Sequence, residues 1–336
     1  MPEPEDLERL APPGLTGEFP PSSVVADRRA LLESTELADD LTPAAGGEVT
    51  SSGGALRRIL EVFVQNRLAV VGLVIIVVMV LFCTIGPFFY STNQTNAELA
   101  LSTPLNGPPN GSHLLGTDDK GFDILGRLMY GGQRSLVVGL AAALMATLFG
   151  VVYGAIAGFA GGPVDAFLMR IVDVLLSIPA LFLLIVLAVI FHTSLPLLII
   201  VIAFVSWLIP ARLIRGETLT LRVREYVQAV RVMGGGGTRI VGRHIIPNTV
   251  GTIVVNATFQ VADAILLLAA LGYLGLGLPL PQTDWGSMLS NGVNYAFNGY
   301  WWEIYPAGVC IVLVVVAFNF VGDALRDSLE VRLQRR

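Results

Sequence analysis

The chain has 336 residues, 54% of them hydrophobic and only 14% charged, with a formal net charge of −5 and a mean hydropathy of +0.69. A water-soluble domain carries roughly 25% charged residues, so an ordinary soluble protein is excluded, as are a collagen, a disulfide scaffold and a chain disordered over most of its length. Cys83 and Cys310 lie inside apolar runs, where thiols act as small hydrophobes, and three scattered histidines make no local metal cluster.

Residues 1–56 come first. They hold 11 acidic residues and three arginines, a net −8, whereas residues 57–336 carry +3. This Pro-, Gly-, Ser- and acid-rich stretch has too few apolar residues to bury a core and is expected to be a disordered acidic cytoplasmic tail. It lacks the basic start and apolar centre of a secretory signal.

Residues 57–336 are expected to form one membrane domain. Six apolar runs of about the length needed to cross the hydrocarbon fall at 68–90, 135–159, 167–191, 195–214, 250–271 and 304–320. Backbone groups in lipid must be satisfied within the segment, so the fold class is all-α: a polytopic protein of six transmembrane helices. Arginines concentrate in one set of connections, among them Arg57, Arg58, Arg212, Arg215, Arg222, Arg224, Arg239, Arg243, Arg332 and Arg335. The other set holds Lys120, Arg127 and Arg134. The positive-inside bias therefore puts both termini in the cytoplasm. These arginines flank apolar spans, which argues against nucleic-acid binding.

In the second span Ala142, Ala146, Gly150, Gly154 and Gly158 recur every four residues, a stripe that lets another helix approach closely. In the third, Arg170 and Asp173 are spaced for a local pair, and Pro179 predicts a kink. Pro196 and Pro210 bracket the fourth.

The cytoplasmic loop 215–248 contains a short amphipathic helix. Val223, Tyr226, Val227, Val230 and Met233 repeat at helical spacing, Gly234 supplies the stop, and Pro247 starts the fifth span. Such a helix suits docking in a partner's groove or lying flat on the membrane. In the fifth span Asn256, Gln260 and Asp263 form a polar stripe. An aspartate there costs about 2.5–3.5 kcal/mol to insert, so the stripe reads as cavity lining, or as a polar seam to another subunit. Trp285, Trp301, Trp302, Tyr295 and Tyr300 precede the sixth span as an interfacial belt or as a contact for an external partner, with Trp285 a belt residue, a structural one or a gate near the outer mouth.

Several of these stretches carry a family resemblance. Gln228-Ala229-Val230, Gly234 and His244–Pro247 resemble the EAA loop of ABC-transporter permeases, with Gln228 in place of the usual acid. His113–Asp118, Gly121–Asp123 and Arg134–Leu136 resemble the segment before the second span in C-subunit permeases of dipeptide, oligopeptide and nickel importers. Leu274–Gly277, Trp285–Leu289 and Phe318–Asp327 resemble later motifs of the same family, so the likeness covers roughly residues 58–336.

The resemblance implies a type I importer-like permease domain over 57–336, in a bacterial or archaeal cytoplasmic membrane. Its implied partners are a second homologous permease, one or two ATPase subunits supplying two nucleotide-binding domains, an extracytoplasmic substrate-binding protein and membrane lipid. ATP and Mg would be bound by the partner ATPase, with no cofactor in this chain and no catalytic or metal residues. The ATPase-coupling residues are expected to be Glu225, Tyr226, Val227, Gln228, Ala229, Val230, Arg231, Met233 and Gly234, and the translocation pathway Asn256, Gln260 and Asp263. A P-loop needs a lysine for the phosphates. The single lysine, Lys120, lies in no such motif, so energy must come from a partner or, in the competing reading, from an ion gradient driving a secondary transporter alone.

Overall fold

The computed structural model describes residues 62–191 and 193–333. The expectations for residues 1–56 lie outside them. Among the described residues the regular elements are helices, with an isolated antiparallel bridge between Thr117 and Asp123 in the long irregular segment ahead of Ile124.

Helix α1 (Arg67–Thr84) is capped by Asn66, whose side chain accepts from Leu68 N and Ala69 N. It ends six residues before the expected limit, because Pro87 has no N–H to continue the ladder and a separate turn, α2 (Gly86–Phe89), follows. After the one-turn α3 (Ala97–Ala100), α4 (Ile124–Ala160) runs for 37 residues. It starts eleven residues ahead of the apolar run because Asp123 caps it, accepting from Gly126 N at 2.7 Å.

The third of the expected spans is broken in the structure. Helices α5 (Gly162–Leu176) and α6 (Ala180–Ile190) meet at 81°, with Pro179 supplying the break. The fourth is bent by 41° between α7 (Leu195–Ser206) and α8 (Leu208–Leu221). Helix α9 (Glu225–Val232) leads to α10 (Gly237–Ile240), a π turn over Val241–Ile245, and α11 (Ile246–Tyr273). Helix α12 (Trp285–Ala296), a 3₁₀ turn (Trp301–Glu303) and α13 (Tyr305–Leu333) complete the order. By length and composition four segments can cross a membrane, and six if each bent pair is one span.

Close approach of backbones organises the bundle. A Cβ on Gly150 would come within 2.7 Å of the Trp207 carbonyl, one on Gly158 within 2.8 Å of the Arg215 carbonyl, and one on Gly154 would strike the Ala211 carbonyl. The stripe is thus a packing seam between α4 and α8. Gly72 brings α1 against the Ala317 carbonyl of α13 in the same way. Buried Val138, Ala142, Leu184, Leu198, Ile202, Leu208 and Leu268 form the largest apolar cluster.

The expected Arg170–Asp173 pair does not form. Asp173 instead pairs with Arg212 at 2.5 Å, and Asp165 takes Arg215 through two bonds of 3.0 and 2.5 Å. Both partners come from α8, which the seam holds beside α4.

Candidate functional site

Loop 215–248 is built on its own small core. Val227, Ile240 and Ile245 are fully buried, with Phe159, Leu221, Val230 and Val241 packed around them. Fully burying a valine is worth about 1.5–3 kcal/mol, so Val227 anchors α9 to the end of α4 and to the π turn. Val227 was expected on the contact face; it is turned inward because its apolar neighbours are on this chain, and Val230 is half-buried beside it. The open face carries Tyr226 at 42%, Met233 at 78% and Val232 at 88% exposure, with exposed Glu225, Ala229, Arg231 and Gly234. Arg231 sits 5.5 Å from the Phe159 ring centroid.

Two details fix the ends of α9. Gln228 Nε2 donates to the Arg222 carbonyl at 3.0 Å, which a carboxylate could not do. At the other end Gly234 has φ +82; its N–H reaches the Arg231 carbonyl, and Gly235 N–H the Val230 carbonyl at 2.9 Å. This is the paired bonding of a Schellman stop, whose left-handed residue favours glycine.

The polar stripe of α11 divides. Gln260 is 3% exposed and donates to the Ser206 carbonyl at 2.6 Å. Pro210, four residues on, has no N–H for that carbonyl. Gln260 therefore closes the backbone gap at the bend between α7 and α8, buried within this chain. Asp263 points outward and is exposed on this chain. Asn256 is half-buried, its Oδ1 enclosed without a partner.

The opposite end of the bundle is held by buried carboxylates. Asp284, fully buried, caps α12 by accepting from Ser287 N at 2.9 Å; it also accepts from Leu278 N at 3.0 Å and the Ser287 hydroxyl at 2.7 Å. A Cβ on Gly277 or Gly272 would strike it. The sequence flagged the neighbours Leu274–Gly277 and Trp285–Leu289 but missed Asp284 itself. Trp285 is also fully buried. Its Nε1 donates to the Leu128 carbonyl at 2.9 Å, its N–H to the Ser135 hydroxyl, and Gly132 leaves room for the ring. It is a post between α4 and α12. Trp302 is buried as well, whereas Trp301 is half exposed.

Asp123 gathers the segment before α4, accepting from the Tyr90 hydroxyl at 2.9 Å and lying 2.8 Å from His113 Nδ1. Asp118 accepts from Lys120 N and Phe122 N, and faces Arg127 Nε at 3.5 Å. Burial pushes its carboxyl above the usual range, against the pull of Arg127. The Arg127 guanidinium lies 4.5 Å over the Phe122 ring.

Comparison with known proteins adds the family. Residues 150–335 match the binding-protein-dependent transport system inner membrane component, and residues 54–109 the N-terminal transmembrane domain of oligopeptide transport permease C. The oligopeptide transport system permease protein OppC of Bacillus subtilis (strain 168) is 41% identical over 280 residues, 81% of this chain and 88% of the relative. The dipeptide transport system permease protein DppC of the same organism is 37% identical over 271 residues, 81% and 84% of the two chains. A putative peptide permease protein of Brucella suis biovar 1 is 38% identical over 293 residues, 86% and 95%.

Proposed function

Because the chain belongs to the family of binding-protein-dependent transport system inner membrane components, we propose that it is the permease subunit of an ATP-driven importer of di- or oligopeptides, forming half of the pathway beside a second homologous permease. As an ABC-transporter permease it is the non-catalytic membrane component. Peptides are the solute named for the relatives. In this reading both termini are cytoplasmic, an extracytoplasmic binding protein delivers solute at the Asp284 end, and one or two separate ATPase subunits bind ATP and Mg at the loop end.

The observation that carries the reading is the half-and-half character of α9. One face is sealed into the chain's own core through Val227, and the other leaves Tyr226, Val232 and Met233 uncovered. A helix anchored this way can transmit push and pull, because its inner face is continuous with the start of α11 and the end of α4. Tyr226, Ala229 and Met233 form the docking surface, Glu225 and Arg231 flank it, and Gln228 and Gly234 fix the helix ends.

The test is Ala229→Arg. Ala229 is exposed, so the bundle's unfolding midpoint should stay unchanged, while co-purification with the ATPase and ATP-driven uptake should fall at least tenfold, a loss of about 1.4 kcal/mol. Full assembly and uptake in this variant would remove the docking surface. Uphill transport by the chain alone would replace the whole reading with an ion-coupled transporter.

A further inference from the structure

Glu303 stands in the 3₁₀ turn before α13 and is 3% exposed, yet neither carboxylate oxygen has a hydrogen-bond partner. Its neighbour Trp302 also has an unpartnered buried Nε1. A buried carboxylate without a donor is costly while ionised and calls for an explanation.

The surroundings supply one. Glu303 lines a cavity of about 10 Å³ with Asp118, Ile124, Arg127, Met288, Asn291 and Gly292, space for about one water. The charged groups facing it come from several elements. Asp118, Asp119 and Lys120 lie on the segment before α4, and Tyr295 on α12. Arg127 of α4 is already engaged by Asp118, stacks on Phe122, and feels Asp284. Asp118, Asp119 and an ionised Glu303 against Arg127 and Lys120 leave the cavity a single positive charge short. Among the described residues no three acidic, His or Cys side chains converge as a metal site, so the charge that fits is a proton.

We propose that Glu303 is a proton site that latches the segment 116–123 onto the base of α13: protonated, it lets the two close; ionised, it adds a third negative charge beside Asp118 and Asp119 and drives them apart. The larger neighbouring cavity, about 170 Å³, is lined by Lys120, Arg127, Gln282, Ser287, Ser290 and Asn291, so the movement alters the chain's outer mouth. Burial first, then Asp119 and Asp118, push the Glu303 carboxyl up to about 7. The latch therefore works around neutrality.

Two measurements on the full chain in detergent test this without any partner, so they can fail independently of the import reading. An infrared titration from about pH 5 to about pH 9 should show a protonated-carboxyl band that disappears with a midpoint near 7 and is missing in Glu303→Gln. Amide exchange over residues 116–122, corrected for its intrinsic rate, should quicken by up to about tenfold per pH unit between the ordinary carboxylate range and the midpoint, the limit for a one-proton switch, level off above the midpoint, and stay flat in Glu303→Gln. A wild-type spectrum without the band overturns the proton site, even if the variant does not fold. Identical exchange profiles in the two proteins overturn the latch.

Discussion

At the scale of single residues, side chains here chiefly complete backbone that proline or a loop has left open. Gln260 is the clearest case. Replacing it with Leu leaves the Ser206 carbonyl buried and unpaired, a cost of about 1–3 kcal/mol. Pro210→Ala restores an N–H four residues after Ser206, so the same Gln260→Leu change should cost much less in that background. A double-mutant cycle of unfolding midpoints in detergent measures the coupling; additive costs would show that Gln260 does not act through the proline gap. Glu303 carries the opposite sign. Its folded value near 7 exceeds the carboxylate reference, so the native state holds the extra proton and stability falls as pH rises through that window, fully lost above it. Glu303→Gln should therefore melt with the wild type near pH 5 and above it at pH 8.

At the scale of elements, apolar runs and turn residues made the apolar helices, the break at Pro179 and the Gly234 stop legible before any coordinates. Run length could not place the ends of α4 or α13, because helices capped by Asp123 or lacking a breaker continue into polar sequence. Nor could spacing find the partners of Asp165 and Asp173, which lie 50 and 39 residues away on α8. The i, i+3 rule sees only one helix. The polar stripe of α11 was visible, but which members turn inward depends on the bend between α7 and α8, which falls at Trp207, one turn ahead of the Pro210 that leaves the Ser206 carbonyl open. The π turn before α11 is too short for its apolar residues, Val241 and Ile245, to show a period. Gly234 tests the loop element. Its Cβ site is open space, so Gly234→Ala is strained by φ alone, about 1–2 kcal/mol. Exchange at the Gly234 and Gly235 amides should quicken about 5- to 30-fold, with the bundle's amides unchanged.

At the scale of the whole molecule, the bundle exposes a wide apolar surface, with Val74, Leu148, Phe182, Val189, Val254 and Val312 among its members. Lipid satisfies such side chains. It does not satisfy Asp263, exposed in the middle of α11 between buried Ala262 and Ala264. A charge there must meet water or a polar partner; under the proposed function this face of α11 lines a cavity or meets the second permease, and two substitutions separate the two. Asp263→Asn keeps size and hydrogen bonding while removing charge; Asp263→Leu removes both. Cavity lining predicts that both variants assemble with the second permease, and that uptake falls about tenfold or more in Asp263→Leu, a barrier change of about 1.4 kcal/mol. A subunit seam predicts that Asp263→Leu fails to co-purify while Asp263→Asn assembles. Because the aspartate is open on this chain, neither change should move the unfolding midpoint of the isolated subunit downward. A fall there would mean that Asp263 has a partner within its own bundle, and would close both readings of this face.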